Sequence, residues 1–431
     1  MSSNSTRPAI DRRAFLKQGC ALASTAGLAH ALLGASIAAP RRAPARSVVQ
    51  IFLEGGFSHL DSFDPKPEQA IEIRGEFGAI GTSLDGVRFA GTFRRSAEIA
   101  KELVLLRGFG HGEADHTRGN HSILTGYAPS PAIAYPSMGS VVAHELGASG
   151  ELPAYICVPN DRIAHSGPGY LSTAFAPFSL GSDPGARGFK VRDLEAPGGL
   201  DAARIARRRG LLADLDAGFG GTNAPDTLRA AEAFHAQAYG MIDSPKAREA
   251  FELEREKPEA RQAYGSSALG PRLLLARRMV EAGVRWITVN DGGWDHHRDL
   301  FRGARARYEQ LDHAFAAFVR DLAERGLLDQ TLVLLVSEFG RTPRVNQDGG
   351  RDHWPKAYTV VAAGGGLKRG YAYGRSDERG SEPEEGAVKP ADLAATVFHQ
   401  LGIDPAKKLM SPGDRPIDLV RDGRVLQEIL A

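Results

Sequence analysis

The chain has 431 residues, 42% of them hydrophobic and 24% charged, with a formal net charge of +1. That length supports a large core, and the proportions are those of a globular protein. The near-neutral balance excludes a nucleic-acid binder working through a global basic field, and it excludes a disordered acidic chain.

The N-terminal stretch "DRRAFLKQGCALASTAGLAHALLGASIAAPRRAPARS" opens on Arg12 and Arg13, followed by Phe15, Leu16 and Lys17. A mildly apolar, small-residue run then extends from Cys20 to Ala39. This reads as a twin-arginine export signal over residues 1–45, cleaved after Ala39 or, by the Ala43-Pro44-Ala45 pattern, after Ala45. Rich in Ala and Gly and poor in Leu, the run makes a weak permanent span. The expected product is therefore periplasmic or secreted, handed over by the twin-arginine machinery, with no stable membrane span after cleavage. Of the two cysteines only Cys157 outlasts that cleavage, so no intramolecular disulfide is expected.

From Ser47 onward, apolar runs alternate with helical patterns. "SVVQIFLEGG" predicts a strand, "RRSAEIAKEL" a helix, "LVLLRGF" a strand, "PSMGSVVAHELGA" a helix and "PAYICVP" a strand. Between about 193 and 278 the chain turns charged, alanine-rich and helical, which predicts a helical insertion on one edge of a single domain spanning 46–431. The strands "VRWITVNDGG", "TLVLLVSEFG" and "YTVVAAGGG" follow. These runs are too apolar to alternate sides, as in strands covered on both faces. Helices between them predict an α/β three-layer sandwich around a mostly parallel sheet.

Polar clusters stand at the predicted carboxyl ends of these strands, the edge where open parallel sheets bind ligands. "FLEGGFSHLDSFDPKP" offers Glu54, His59, Asp61 and Asp64, and "GHGEADHTRGNHSILTGYAP" offers His111, His116, Thr117, Arg118 and His121. "NDGGWDHHRD" offers Asp291, Asp295, His296 and His297, and the last loops carry Glu338 with Arg341, then Asp352 with His353. Mixed imidazole and carboxylate ligands suit zinc, manganese or iron, whereas an all-oxygen set suits calcium or magnesium. A carboxylate that closes a buried strand, as Glu338 does, needs a partner or a cation. Arg341 is one such partner and a metal ion is the other. A redox or haem reading finds no Cys-x-x-Cys-His or Gly-x-Gly-x-x-Gly stretch to rest on.

"GGFSHLDSFDPKP", "GGWDHH" and "ERGLLDQTLVLLVSEFGRTPRVNQDGGRDHWPKAYTVVAAGGG", with the twin-arginine leader, resemble the bacterial family called domain of unknown function 1501. That family is placed in the alkaline phosphatase and sulfatase superfamily, so the resemblance implies an alkaline-phosphatase-like sandwich holding one or two divalent metal ions. It implies metal ligands among Glu54, His59, Asp61, Asp295, His297, Glu338, Asp352 and His353. It places the attacking position at His116 with Thr117 beside it, and Arg118 and Arg341 as clamps on an ester oxyanion. Two departures stand out: Phe339 occupies the place of a metal-binding His, and His116 is neither hydroxyl nor thiol. The implied activity is hydrolysis of a phosphate or sulfate ester, on a small molecule or a glycan. The alternative is a non-catalytic periplasmic protein that binds a metal or ligand, or assists assembly, through a degenerate site.

Overall fold

The computed structural model describes residues 43–191 and 226–431, and between them only a few positions from 203 to 214. Most of the expected export signal and the first part of the expected helical insertion lie outside the described residues. Among the described residues no helix is long and apolar enough to cross a membrane.

The apolar runs form eight strands of one sheet: β1 (Ser47–Phe52), β2 (Leu103–Phe109), β3 (Tyr155–Val158), β4 (Phe178–Ser179), β5 (Trp286–Asn290), β6 (Thr331–Val336), β7 (Tyr358–Ala363) and β8 (Tyr371–Tyr373). Their order across the sheet is β8-β2-β7-β6-β1-β5-β3-β4. β1 runs parallel to both neighbours, with Val48 opposite Trp286 on one side and Leu332 on the other. β7 alone is reversed, antiparallel to β2 and β6. The mostly parallel three-layer sandwich expected from the sequence is the observed fold. The two short edge strands and the reversal of β7 carry no sequence signal strong enough to foresee.

Alternate residues of each strand face opposite layers. Val49, Ile51, Ile287, Val289, Val333 and Leu335 pack with the apolar faces of helices Leu269–Glu281 and Arg305–Glu324. Val48, Phe52, Trp286, Leu332, Leu334 and Val336 pack with helices His116–Thr125, Met138–Leu146 and Pro390–Gln400. The helical region includes Asp226–Asp243, Pro245–Phe251 and Pro258–Ala263, and Leu269–Glu281 is the crossover helix that leads into β5. With both faces covered, polar side chains concentrate where β1, β2, β5 and β6 end, at the carboxyl edge.

Candidate metal centre

Four loops meet at that edge, and their backbones are tied together. Leu53 donates to the Val336 carbonyl at 2.8 Å, and Trp294 donates to the Glu54 carbonyl at 3.1 Å. His353 and Trp354 pair antiparallel with Arg341 and Gly340, which returns His353 to the end of β6. The Asp115 carboxylate caps helix His116–Thr125 by accepting from the Arg118 N–H at 3.0 Å, which fixes His116 at the first helical position. Gly55 permits the close fit: its φ is +124°, and a Cβ there would stand 2.5 Å from the Asp295 nitrogen.

Three imidazoles converge on the Asp295 carboxylate. Its Oδ1 lies 2.9 Å from His297 Nε2 and 3.1 Å from His353 Nε2, and its Oδ2 lies 3.3 Å from His116 Nε2. The two Nε2 atoms of His297 and His353 are themselves 3.1 Å apart. The outer nitrogen of each ring is held from behind: His116 Nδ1 by the Glu338 carboxylate at 2.7 Å, His297 Nδ1 by Asp352 at 2.6 Å, and His353 Nδ1 by the Ala114 carbonyl at 2.7 Å. Carboxylates and carbonyls only accept, so each Nδ1 carries the proton and donates it. Each Nε2 then faces inward, where it either donates a proton to Asp295 or presents a lone pair to a cation, and the 3.1 Å between two of them is a spacing that a shared cation can bridge. Ligand atoms on a tetrahedral ion with bonds of about 2.0–2.1 Å sit roughly 3.3 Å apart, close to these spacings. An imidazole whose other nitrogen donates to a carboxylate or carbonyl is the usual way a metal-binding His is oriented. His116, Asp295 and His353 together, with His297 beside them, therefore fit a divalent ion.

Electrostatics agree. Partial burial would raise the Asp295 pKa, but hydrogen bonds from Arg341 and His353 override it and hold the carboxyl well below its ordinary range. The hydrogen bond to Glu338 raises the His116 pKa against desolvation, so without a metal this ring favours a proton. Phe339 is buried, and its ring lies 4.4 Å from that of His353 and 5.0 Å from that of His116. Where the resemblance implies an imidazole ligand, this chain has an apolar support for two others.

Glu338 is wholly buried, and its partners differ from those expected. Oε1 accepts from the Gly55 N–H and from His116, each at 2.7 Å, and Oε2 lies 3.0 Å from the Ser337 hydroxyl oxygen. It thus holds the His116 ring and stands behind the converging atoms. Asp352 plays the same part for His297. Glu54 is half-buried, with Asn290 Nδ2 at 3.5 Å; burial first, then the nearby Glu338 charge, raises its pKa. It is not one of the atoms that converge.

Other expected residues turn elsewhere. Asp61 is fully buried in an ion pair with Arg351, at 2.7 Å to Nε, and also accepts from Ser58 at 2.5 Å. The resemblance could not supply Arg351 as the partner that neutralises it. His59 is buried with Nε2 donating to the Gly380 carbonyl at 2.8 Å, which pins a loop. Arg341, expected as an oxyanion clamp, is buried and fully committed: it donates to the Gly56 carbonyl at 2.9 Å, to the carbonyls of Gly55, Trp294 and Arg351, and to Asp295 at 2.5 Å. Arg118 is exposed and grips Glu113 with two hydrogen bonds at 2.5 and 2.9 Å. Thr117 is exposed on the first turn and makes no hydrogen bond among the described residues, so no base stands ready to activate it. Sequence reading missed Ala114, which acts through its carbonyl, and Asn346, whose amide donates to the His297 carbonyl at 3.0 Å and to Asp352 at 3.3 Å.

A family model described as "Protein of unknown function (DUF1501)" matches residues 45–430. No curated protein matches in sequence. Among solved structures, the lipoteichoic acid synthase LtaP from Listeria monocytogenes aligns at 10% identity and a TM-score of 0.37, over 88% of this chain and 76% of that one. The PsFucS1 sulfatase from Pseudoalteromonas sp. aligns at 13% and 0.39, over 84% and 68%. A phosphonate monoester hydrolase from Silicibacter pomeroyi aligns at 12% and 0.33, over 89% and 76%.

Proposed function

For a chain that belongs to the DUF1501 family, whose description names no activity, we propose an exported, metal-dependent hydrolase of phosphate or sulfate esters. One observation carries it: three histidines with outer nitrogens fixed by Glu338, Asp352 and Ala114 aim their inner nitrogens at one carboxylate. Asp295, His116, His297 and His353 would hold the ion. A divalent ion bound there supplies a Lewis acid for an ester oxygen and lowers the pKa of a coordinated water. Arg341 keeps Asp295 ionised and seated, and Phe339 excludes water from beneath two of the rings. The Ser337 hydroxyl donates to the Leu53 carbonyl at 2.7 Å and Thr117 lacks a base, so water is the nucleophile in this reading. The substrate would be a small-molecule or glycan ester met after twin-arginine export.

A second reading is a non-catalytic metal- or ligand-binding protein of the periplasm. It is favoured by Arg118 and Arg341, whose donor forks are already engaged and leave no clamp for an oxyanion.

The test is elemental analysis of the exported protein and of His353→Ala, with turnover of 4-nitrophenyl phosphate and 4-nitrophenyl sulfate. One or two equivalents of metal, lost in the variant together with turnover, support the hydrolase. Metal without turnover favours the second reading. No metal after reloading with zinc, manganese, iron or calcium overturns the centre.

A further inference from the structure

We propose that export processing stops short of Ala43, and that Ala43, Pro44 and Ala45 stay in the mature protein as the seal on the amino edge of its sheet. The sequence offers two ends for the export signal, after Ala39 and after Ala45, and the fold bears on the second. Ala45 is 2% exposed and lies in the same apolar cluster as Val48, Leu332 and Leu401. Its N–H donates to the Gln400 carbonyl at 3.0 Å, and that of Arg46 donates to the Gln330 carbonyl at 2.8 Å. Ser47, the next residue, opens β1 opposite Thr331, and its hydroxyl donates to the Val284 carbonyl at 2.7 Å. Pro44 sits against Gly366, where a Cβ would collide with its ring, and a Cβ at Gly402 would stand 3.1 Å from that of Ala43. Backbone and side chains of the segment are both engaged.

A peptidase takes its scissile bond from an exposed, unpaired stretch of chain, so burial and hydrogen bonding of the backbone decide where a folded protein can be cut. To reach the Ala45–Arg46 bond, an enzyme would have to lift both of these backbone hydrogen bonds and the start of β1. That strand is paired on both sides, with β5 and with β6. It opens only with much of the sheet, at the costly end of the range of local openings. The twin-arginine route carries chains that have already folded, and the signal is removed after that. The Ala43-Pro44-Ala45 pattern is thus present in the sequence but closed in the structure. Upstream, Ser36, Ala38 and Ala39 supply the small residues for the cut. The proposal rests on the export reading and is independent of the hydrolase.

The experiment is an intact-mass measurement of the protein recovered from the periplasm of a host with a twin-arginine pathway. The mature chain should begin at or before Ala43, at Ala39 or Pro40 by the small-residue pattern. In Ala38→Leu/Ala39→Leu the precursor should accumulate, with no chain beginning at Arg46. A chain beginning after Ala43, in either protein, would overturn the proposal and leave export intact. An unprocessed chain that stays in the cytoplasm, unchanged by Arg12→Lys/Arg13→Lys, would remove the export reading and the proposal with it. As a second measurement, a chain made from Arg46 should melt at least about 2 °C below one made from Pro40. Equal melting temperatures would overturn the sealing role.

Discussion

Asp61 and Asp295 follow neighbouring strands, in loops that look alike, yet their charges are answered in opposite ways. Asp61 is sealed from water with Arg351, a cation that never gives up its proton. Asp295 is partly open to solvent, and besides Arg341 it faces three imidazoles, groups that titrate near neutral pH. The first arrangement can only hold structure together. In the proposed centre the second would exchange one positive partner for another, a proton for a metal ion.

The strongest way to break this contrast is Arg351→Met, which strands a buried carboxylate and should cost about 3–5 kcal/mol in urea denaturation. Replacing both partners by leucine should recover much of that. A loss within error in the single variant would mean that the pair is not closed. On the Asp295 side, Asp352→Ala removes the group behind His297 and should weaken metal affinity about 10–100-fold, read by competition with a chelator, with little change in apo stability.

Acidity separates the two regions more gently. Burial lowers the pKa of His59 to about 4, and burial with Arg307 and Arg341 lowers that of His296 to about 4. Both rings are thus neutral in the fold while the unfolded chain takes up protons near 6.5. Their stabilisation is complete above that value and is lost as pH falls toward about 4. His59→Gln should flatten this acid limb. His116 has the opposite sign: its folded pKa is raised, so in the apo protein its contribution is present below its unfolded value and fades as pH rises. A metal displaces that proton, so metal affinity should rise with pH. The smallest effect belongs to Arg118→Ala, an exposed pair, which should leave metal content unchanged and the melting temperature within error.

The strands of the core were legible because buried β structure is continuous apolar sequence, and "LVLLRGF" or "TLVLLV" admits few other readings. The loops were legible as a set: Asp295, His297 and His353 meet, and His116 joins them. Roles within the set were not, because they depend on partners distant in sequence. Asp61 finds Arg351 on a loop near the other end of the chain, and Glu338 reaches His116 and the Gly55 backbone. Ala114 contributes only a carbonyl, which no side-chain pattern can announce. Arg341 read as a partner of Glu338 or as an oxyanion clamp, because nothing in "EFGRTP" reveals the carbonyls that surround it.

The reversal of β7 has a consequence for how such a site can be altered. β6 and β7 are adjacent and antiparallel, with Val361 opposite Leu335, so the chain leaves and re-enters the sheet at the same edge. The excursion between them, residues 337–357, carries Glu338, Phe339, Arg341, Arg351, Asp352 and His353. Both of its ends are anchored by one strand pair, so a change in its length need not shift the register of any strand, while the partners of Arg341 and Arg351 on other loops constrain what it can carry.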